Sequence, residues 1–75
     1  MERIGQLNYQ KAENRYYIDD YSLSSGECLE VLICNGLIGK TEWIKTRIEY
    51  SHETKEYYLV DLFGYSMQGL FARID

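Results

Sequence analysis

The sequence predicts an all-β fold, a small barrel of five or six antiparallel strands. Short runs of β-branched, aromatic and Leu residues alternate with clusters of Gly, Ser, Asn and charged residues along its 75 residues. Within the runs, apolar and polar side chains alternate with a period of two, which is typical of strands that bury one face. Tight turns join successive runs, and such sequential hairpins favour an SH3-like barrel. The length allows one domain, over residues 1–75.

Six runs are predicted to be strands. They are expected at residues 3–9, 15–21, 27–34, 42–50, 56–62 and 67–74, with turns at residues 22–26, 51–55 and 63–66. Gly26 supplies a residue that tolerates positive φ in the first of these turns. Asn35-Gly36 is the strongest hairpin signal in the chain. A Ser cap could begin a helix over residues 24–34, but Val31 and Ile33 are β-branched and favour a strand.

One face of each strand is expected to fill the interior of the barrel. The residues on these faces are Leu7, Tyr16, Ile18, Leu29, Val31, Ile33, Ile44, Ile48, Val60, Leu70, Ala72 and Ile74. Closing the barrel removes the exposed strand edges through which open sheets aggregate. A single β-bulge would invert the assignment of faces beyond it.

Composition and charge exclude several classes of protein. Twelve acidic and eight basic residues give a formal charge of −4, and 45% of the residues are hydrophobic. These values exclude a multidomain enzyme, a disordered tail and a basic nucleic-acid-binding tail. No apolar run approaches the roughly 20 residues of a membrane span, and the first residues lack the apolar core of a signal peptide. We therefore expect a cytoplasmic protein that does not contact a membrane.

Cys28 and Cys34 are predicted to be free thiols. On one extended strand their separation corresponds to roughly 20 Å, well beyond the ~7 Å limit for two Cα atoms joined by a disulfide. Free thiols agree with a reducing cytoplasm. A disulfide between two chains is the alternative.

The residue types needed for catalysis or metal binding do not occur in suitable patterns. We interpret His52, in the predicted turn over residues 51–55, as a solvated turn residue. One His and two poorly placed Cys do not supply the three or four ligands of a zinc site. Asp19 and Asp20 would point to opposite faces of their strand, and Gly39-Lys40-Thr41 lacks the first glycine of a phosphate loop. We therefore expect no enzymatic activity, no metal and no cofactor.

Several motifs along the chain give it a resemblance to a known family. They are Gly5-x-Leu7, Arg15-Tyr16, Ser25-Gly26-Glu27-x-Leu29-Glu30-Val31, Trp43, Thr46-Arg47-Ile48-Glu49-Tyr50, Tyr57-Tyr58-Leu59-Val60 and Gly69-Leu70-x-Ala72-Arg73-Ile74. In these motifs the chain resembles a family of short, uncharacterised bacterial proteins, mostly from Firmicutes and mobile elements, which is classified only as a domain of unknown function. The resemblance covers nearly the whole chain and implies a small SH3-like β-barrel. It implies no catalytic residues, since none is established for the family.

Aromatic and cationic side chains are predicted on the outward faces of the strands. They are Trp43, Lys45 and Arg47 on one strand, Arg15 and Tyr17 on another, and Tyr57, Phe71 and Arg73. Aromatic residues beside Arg are enriched in protein interfaces. We therefore interpret the set as a candidate surface for an unidentified protein partner, with Trp43, Arg47 and Tyr57 at its centre, and the protein as an interaction or accessory module.

Other interpretations remain open. The arginines could instead pair with Glu30, Glu49 or Asp61 across strands while Trp43 packs over an open end of the barrel. The same side chains could stack nucleic-acid bases, but the net charge of −4 argues against nucleic acid as the partner. The chain could also form a homodimer with a purely structural role, or act as an acidic decoy for a nucleic-acid-binding protein.

Overall fold

The computed structural model describes residues 2–35, 39–62 and 64–75. Within these ranges the chain forms seven strands and no helix: β1 (Arg3–Gln10), β2 (Arg15–Ile18), β3 (Tyr21–Ser22), β4 (Cys28–Asn35), β5 (Lys40–Ser51), β6 (Glu56–Leu59) and β7 (Phe71–Ile74). No described segment is therefore a helix long and apolar enough to cross a membrane.

The strands pair antiparallel in one sheet that curls into a half-barrel, with the order β3-β2-β1-β7-β4-β5-β6. Strand β1 belongs to both parts of the curl, because residues 3–6 pair with β7 and residues 7–10 pair with β2. The curl brings β2 and β6 close together on the inside, where the ring centroids of Tyr16 and Tyr57 lie 6.0 Å apart. The predicted all-β, antiparallel fold is thus confirmed.

Several predicted element boundaries shift in the structure. The run at residues 15–21 is divided into β2 and β3 by a turn at Asp19 and Asp20, and Asp19 has a φ of 54°. These two carboxylates therefore lie in a turn and not on a strand. Gly26 has a φ of 92°, which confirms the positive φ expected there. Gly36 of the predicted Asn35-Gly36 turn lies outside the described residues, as does Phe63 at the start of the predicted turn over residues 63–66.

The core contains most of the residues predicted for it. The fully or nearly fully buried residues are Leu7, Ile18, Leu23, Leu29, Val31, Ile33, Ile48, Leu59, Met67 and Ala72. Tyr16, Ile44, Leu70 and Ile74 are partly buried and pack against them. The assignment of Val60 to the core was wrong, since Val60 is only half-buried while Leu59 is 2% exposed. Leu23 and Met67 enter the core from segments between strands.

Candidate functional site

The side of the sheet that faces away from the core is called the outer face here. On β5, Ile48 is fully buried, so the residues that alternate with it, Trp43, Lys45 and Arg47, lie on the outer face. The register with β4 sets Leu32 opposite Trp43. It also sets Glu30 opposite Lys45 and Cys28 opposite Arg47. Cys28 and Cys34 are both free, as predicted, and both are exposed.

Arg73 is held between an aromatic ring and a carboxylate on this face. Its guanidinium carbon lies 4.1 Å from the centroid of the Trp43 ring. Its Nε donates a hydrogen bond to Oε1 of Glu30 at 3.0 Å, and the two residues are register partners of β7 and β4. A cation over the face of an indole is attracted by the ring quadrupole, so the stack fixes both side chains in place.

Exposed apolar side chains adjoin this stack. Phe71 is 48% exposed and Ile4 is 51% exposed. Ile4 lies opposite Arg73 in the register of β1 with β7. Val31 is the partner of Ala72, so Leu32, the next residue of β4, lies beside Phe71. These five residues, Ile4, Leu32, Trp43, Phe71 and Arg73, are called the outer patch below.

A second arginine of the outer face, Arg47 on β5, also pairs with a carboxylate. Nε of Arg47 donates to Oε2 of Glu49 at 3.0 Å, two residues along the same strand. The cross-strand ion pair expected under the packing interpretation therefore exists for Arg73 with Glu30, whereas the carboxylate paired with Arg47 lies on the same strand. Both are partly exposed pairs, which stabilise a fold only slightly.

The structure does not unite all of the residues predicted for the candidate surface. Trp43, Lys45, Arg47, Phe71 and Arg73 share the outer face of β4, β5 and β7. Tyr17 lies on the outer face of β2, where its register partner is Asn8 of β1. Its hydroxyl donates a hydrogen bond to the carboxylate of Glu13, and this bond is the main cause of the raised pKa of Tyr17.

The expected outward position of Tyr57 was wrong. The register of β5 with β6 pairs Ile48 with Leu59 and Tyr50 with Tyr57. Because Ile48 and Leu59 are buried, Tyr57 lies on the core face, where it packs partly buried against the core. Both faces of this run carry aromatic and aliphatic residues, so alternation alone did not decide between them.

Tyr57 belongs instead to a cleft that the sequence interpretation missed. The cleft has a volume of about 440 Å³, and its lining includes Tyr9, Tyr16, Tyr57, Tyr65, Lys55 and Glu56. The Tyr9 and Tyr16 ring centroids lie 5.1 Å apart, and Tyr57 in turn packs against Tyr50 at 4.9 Å. We call this site the tyrosine cleft. Its rings come from β1, β2, β6 and the segment before β7, so they come together only when the sheet curls.

Burial and charge both raise the pKa of Tyr16, which lines the tyrosine cleft. The pKa of Tyr16 is raised above its ordinary value of 10.0, first by desolvation and then by the neighbouring Tyr9 and Glu56. The hydroxyl of Tyr9 donates to Oδ1 of Asn14 at 2.5 Å. Because its pKa is raised, the phenol of Tyr16 is neutral at neutral pH.

His52 is exposed in the turn that follows β5, and its ring packs against Tyr50 at 5.1 Å between centroids. Within the part of the chain that the structure describes, no three His, Cys, Asp or Glu side chains converge on a common point suitable for a metal ion.

Comparison with known families relates the chain to one of them. The family described as a domain of unknown function, DUF5348, matches residues 5–74, the span over which the motifs listed above occur. No curated protein and no solved structure matches the chain. The resemblance to a family of unknown function is thereby confirmed, and the chain belongs to the DUF5348 family.

Proposed function

We propose that this protein is a non-enzymatic, SH3-like β-barrel of the bacterial cytoplasm that binds a partner protein through its outer patch. The observation that carries the proposal is the outer patch itself: two apolar side chains that are about half exposed, Ile4 and Phe71, adjoin an Arg73–Trp43 stack on the outer face of the sheet.

The chemistry of the outer patch is that of an interface centre. Contiguous exposed apolar surface with a charged rim marks interaction sites in soluble proteins. Trp and Arg are enriched among the residues that contribute most to interface affinity. An indole buries a large area for only two rotatable bonds. The ion pair with Glu30 and the stack on Trp43 already restrict the Arg73 side chain, so little conformational entropy remains to be lost on binding.

Nucleic acid is a less suitable partner for this face. Affinity for nucleic acid depends on cations that are free to contact phosphates. Arg47 and Arg73 are both engaged by carboxylates, and the chain carries a net charge of −4. A protein surface with apolar side chains for the outer patch, and an acceptor for Lys45 next to it on β5, fits this face better.

The proposal is tested by capturing the partner with the tagged protein, identifying it, and measuring its direct binding to the purified chain by calorimetry. Trp43→Ala and Phe71→Ser should each weaken binding by about thirtyfold, the effect of removing a hot spot worth about 2 kcal/mol. Lys11→Ala, in the exposed turn between β1 and β2, is the matched control and should bind like the parent chain.

Two results would count against the proposal. If the Trp43→Ala and Phe71→Ser variants both bind the partner as tightly as the parent chain does, the interface lies elsewhere. Light scattering that shows a dimer sensitive to Phe71→Ser would mean that a second copy of the chain, and not another protein, covers the outer patch.

A further inference from the structure

The tyrosine cleft is a second site, separate from the outer patch. It lies on the core side of the sheet, where the turn after β1 and the turn after β5 approach each other. Four of its lining residues are tyrosines, from four different segments of the chain. Burial of the core does not require them all, since Tyr9 is 37% exposed and Tyr65 is 48% exposed.

The ring geometry forms a corner. The planes of Tyr16 and Tyr57 stand at 86° to each other with centroids 6.0 Å apart, and the plane of Tyr9 is tilted by 49° to that of Tyr16. Parallel rings would form a flat platform for a nucleobase, whereas rings at right angles enclose a rounded group on several sides. The face of an aromatic ring is its negative region, so such walls attract a cation.

The charges of the cleft also favour a cation. Glu56 lines the cleft, and its carboxylate is close enough to raise the pKa of Tyr16. The whole chain carries a net charge of −4, which increases the local concentration of cations. Lys55 is the opposing charge in the lining. It lies at the end of the turn with a φ of 59°, and its exposed side chain can turn toward solvent.

We propose that the tyrosine cleft binds an alkylated ammonium group, with Tyr9, Tyr16, Tyr57 and Tyr65 as its walls and Glu56 as its counter-charge. A methylated nitrogen suits these walls because its charge is spread over a rounded apolar surface, and because it loses less hydration than a primary ammonium on entering an aromatic site. Recognition of this kind is the main functional use of cation–π contacts in proteins. The proposal does not depend on the outer patch.

The test uses the purified chain and small probes in NMR titrations. Choline and tetramethylammonium should produce saturable shifts of the ring resonances of the four tyrosines. The neutral isostere 3,3-dimethylbutanol, in which carbon replaces nitrogen, should bind at least about fivefold more weakly than choline, because it lacks the cation–π term. Comparison of choline with a peptide that contains trimethyllysine then shows whether the group is carried by a small molecule or by a lysine side chain.

Matched variants distinguish binding by the aromatic rings from nonspecific apolar packing. Tyr57→Phe keeps the ring and should retain binding of choline, whereas Tyr57→Leu should lose most of it, by about tenfold. Glu56→Gln should weaken binding and Lys55→Gln should strengthen it, because each changes one charge in the lining. The dispersion of the amide resonances in the same spectra reports whether each variant is folded.

Three outcomes would overturn the proposal. They are equal affinity for choline and 3,3-dimethylbutanol, the absence of saturable shifts with any of the cations, and unchanged binding in a folded Tyr57→Leu variant. The first outcome would reduce the site to an apolar cleft. The other two would remove it as a site for an ammonium group.

Discussion

The position of Trp43 on the outer face leads to a sharp prediction about stability. Replacing Trp43 with Ala removes a half-buried ring that contacts Arg73 and lies opposite Leu32. A cation–π contact at an exposed site contributes about 0.5–1 kcal/mol, and a cross-strand pair contributes about 0.2–1 kcal/mol. The free energy of unfolding should therefore fall by about 1–2 kcal/mol, compared with about 3–5 kcal/mol for a large aromatic residue removed from a core.

The measurement is urea denaturation followed by far-UV circular dichroism, because Trp43 is the only tryptophan and its fluorescence is lost in the variant. Ile48→Ala, from the fully buried position on the opposite face of β5, is the comparison and should cost about 2–5 kcal/mol. A loss of 3 kcal/mol or more in Trp43→Ala, or a changed denaturant slope, would contradict the outer position of the indole. A double-mutant cycle with Arg73→Ala should return a coupling of about 0.5–1 kcal/mol.

Three further predictions follow from the described residues. Leu59→Ala should lower the free energy of unfolding by about 2–5 kcal/mol and Val60→Ala by less, since Leu59 is 2% exposed and Val60 is half-buried. Equal losses of the two variants in urea titrations would contradict the inward position of Leu59. Lys55→Gly should raise the melting temperature, because Lys55 has a φ of 59° and a residue with a side chain costs about 1–2 kcal/mol in this left-handed backbone region. A lower melting temperature of the variant would argue against that backbone conformation. The hydrogen bond from Tyr21 to Glu27 raises the pKa of Tyr21 above 10.0, so the folded state holds its proton to higher pH than the unfolded state. The contribution of this hydrogen bond to the free energy of unfolding is therefore complete below pH 10.0 and is lost as the pH rises through the pKa of Tyr21 in the folded state. In Tyr21→Phe, the free energy of unfolding measured in urea should therefore decline less at alkaline pH than in the parent chain.

The regular alternation of β4 and β5 made their faces predictable. Leu29, Val31 and Ile33 are apolar at every second position, and all three are buried as expected. On β5, Trp43 and Arg47 alternate with the apolar residues Ile44 and Ile48, and this alternation assigned them to the outer face. A strand with one apolar face carries enough information in its own residues to fix its orientation.

The orientation of β6, by contrast, could not be predicted from its own residues. Tyr57 and Leu59 alternate with Tyr58 and with Val60, the residue just after the strand, so both faces are apolar enough to be buried. The turn before β6 decides the matter, because pairing of Ser51 with Glu56 sets the register of every following residue. The geometry of that turn was not specified by the composition of residues 51–55.

The tyrosine cleft was unpredictable for a different reason. Tyr16 was assigned correctly to the inner side, yet nothing in its local sequence relates it to Tyr57 or Tyr65. These residues meet because the sheet curls until β2 faces β6, and the curl depends on how β7 inserts between β1 and β4. Contacts between distant strands follow from topology, which period-two patterns do not encode.

The place of β7 in the sheet has a consequence for how the chain folds. The hairpins β1–β2, β4–β5 and β5–β6 join neighbouring segments, and isolated hairpins of this kind form within about 1–10 μs. Four residues of β7 must then bridge β1 and β4, including the pair Arg3–Ile74, which closes nearly the full length of the chain. Because long-range closure slows folding, we expect the hairpins to form early and the insertion of β7 to set the overall folding rate.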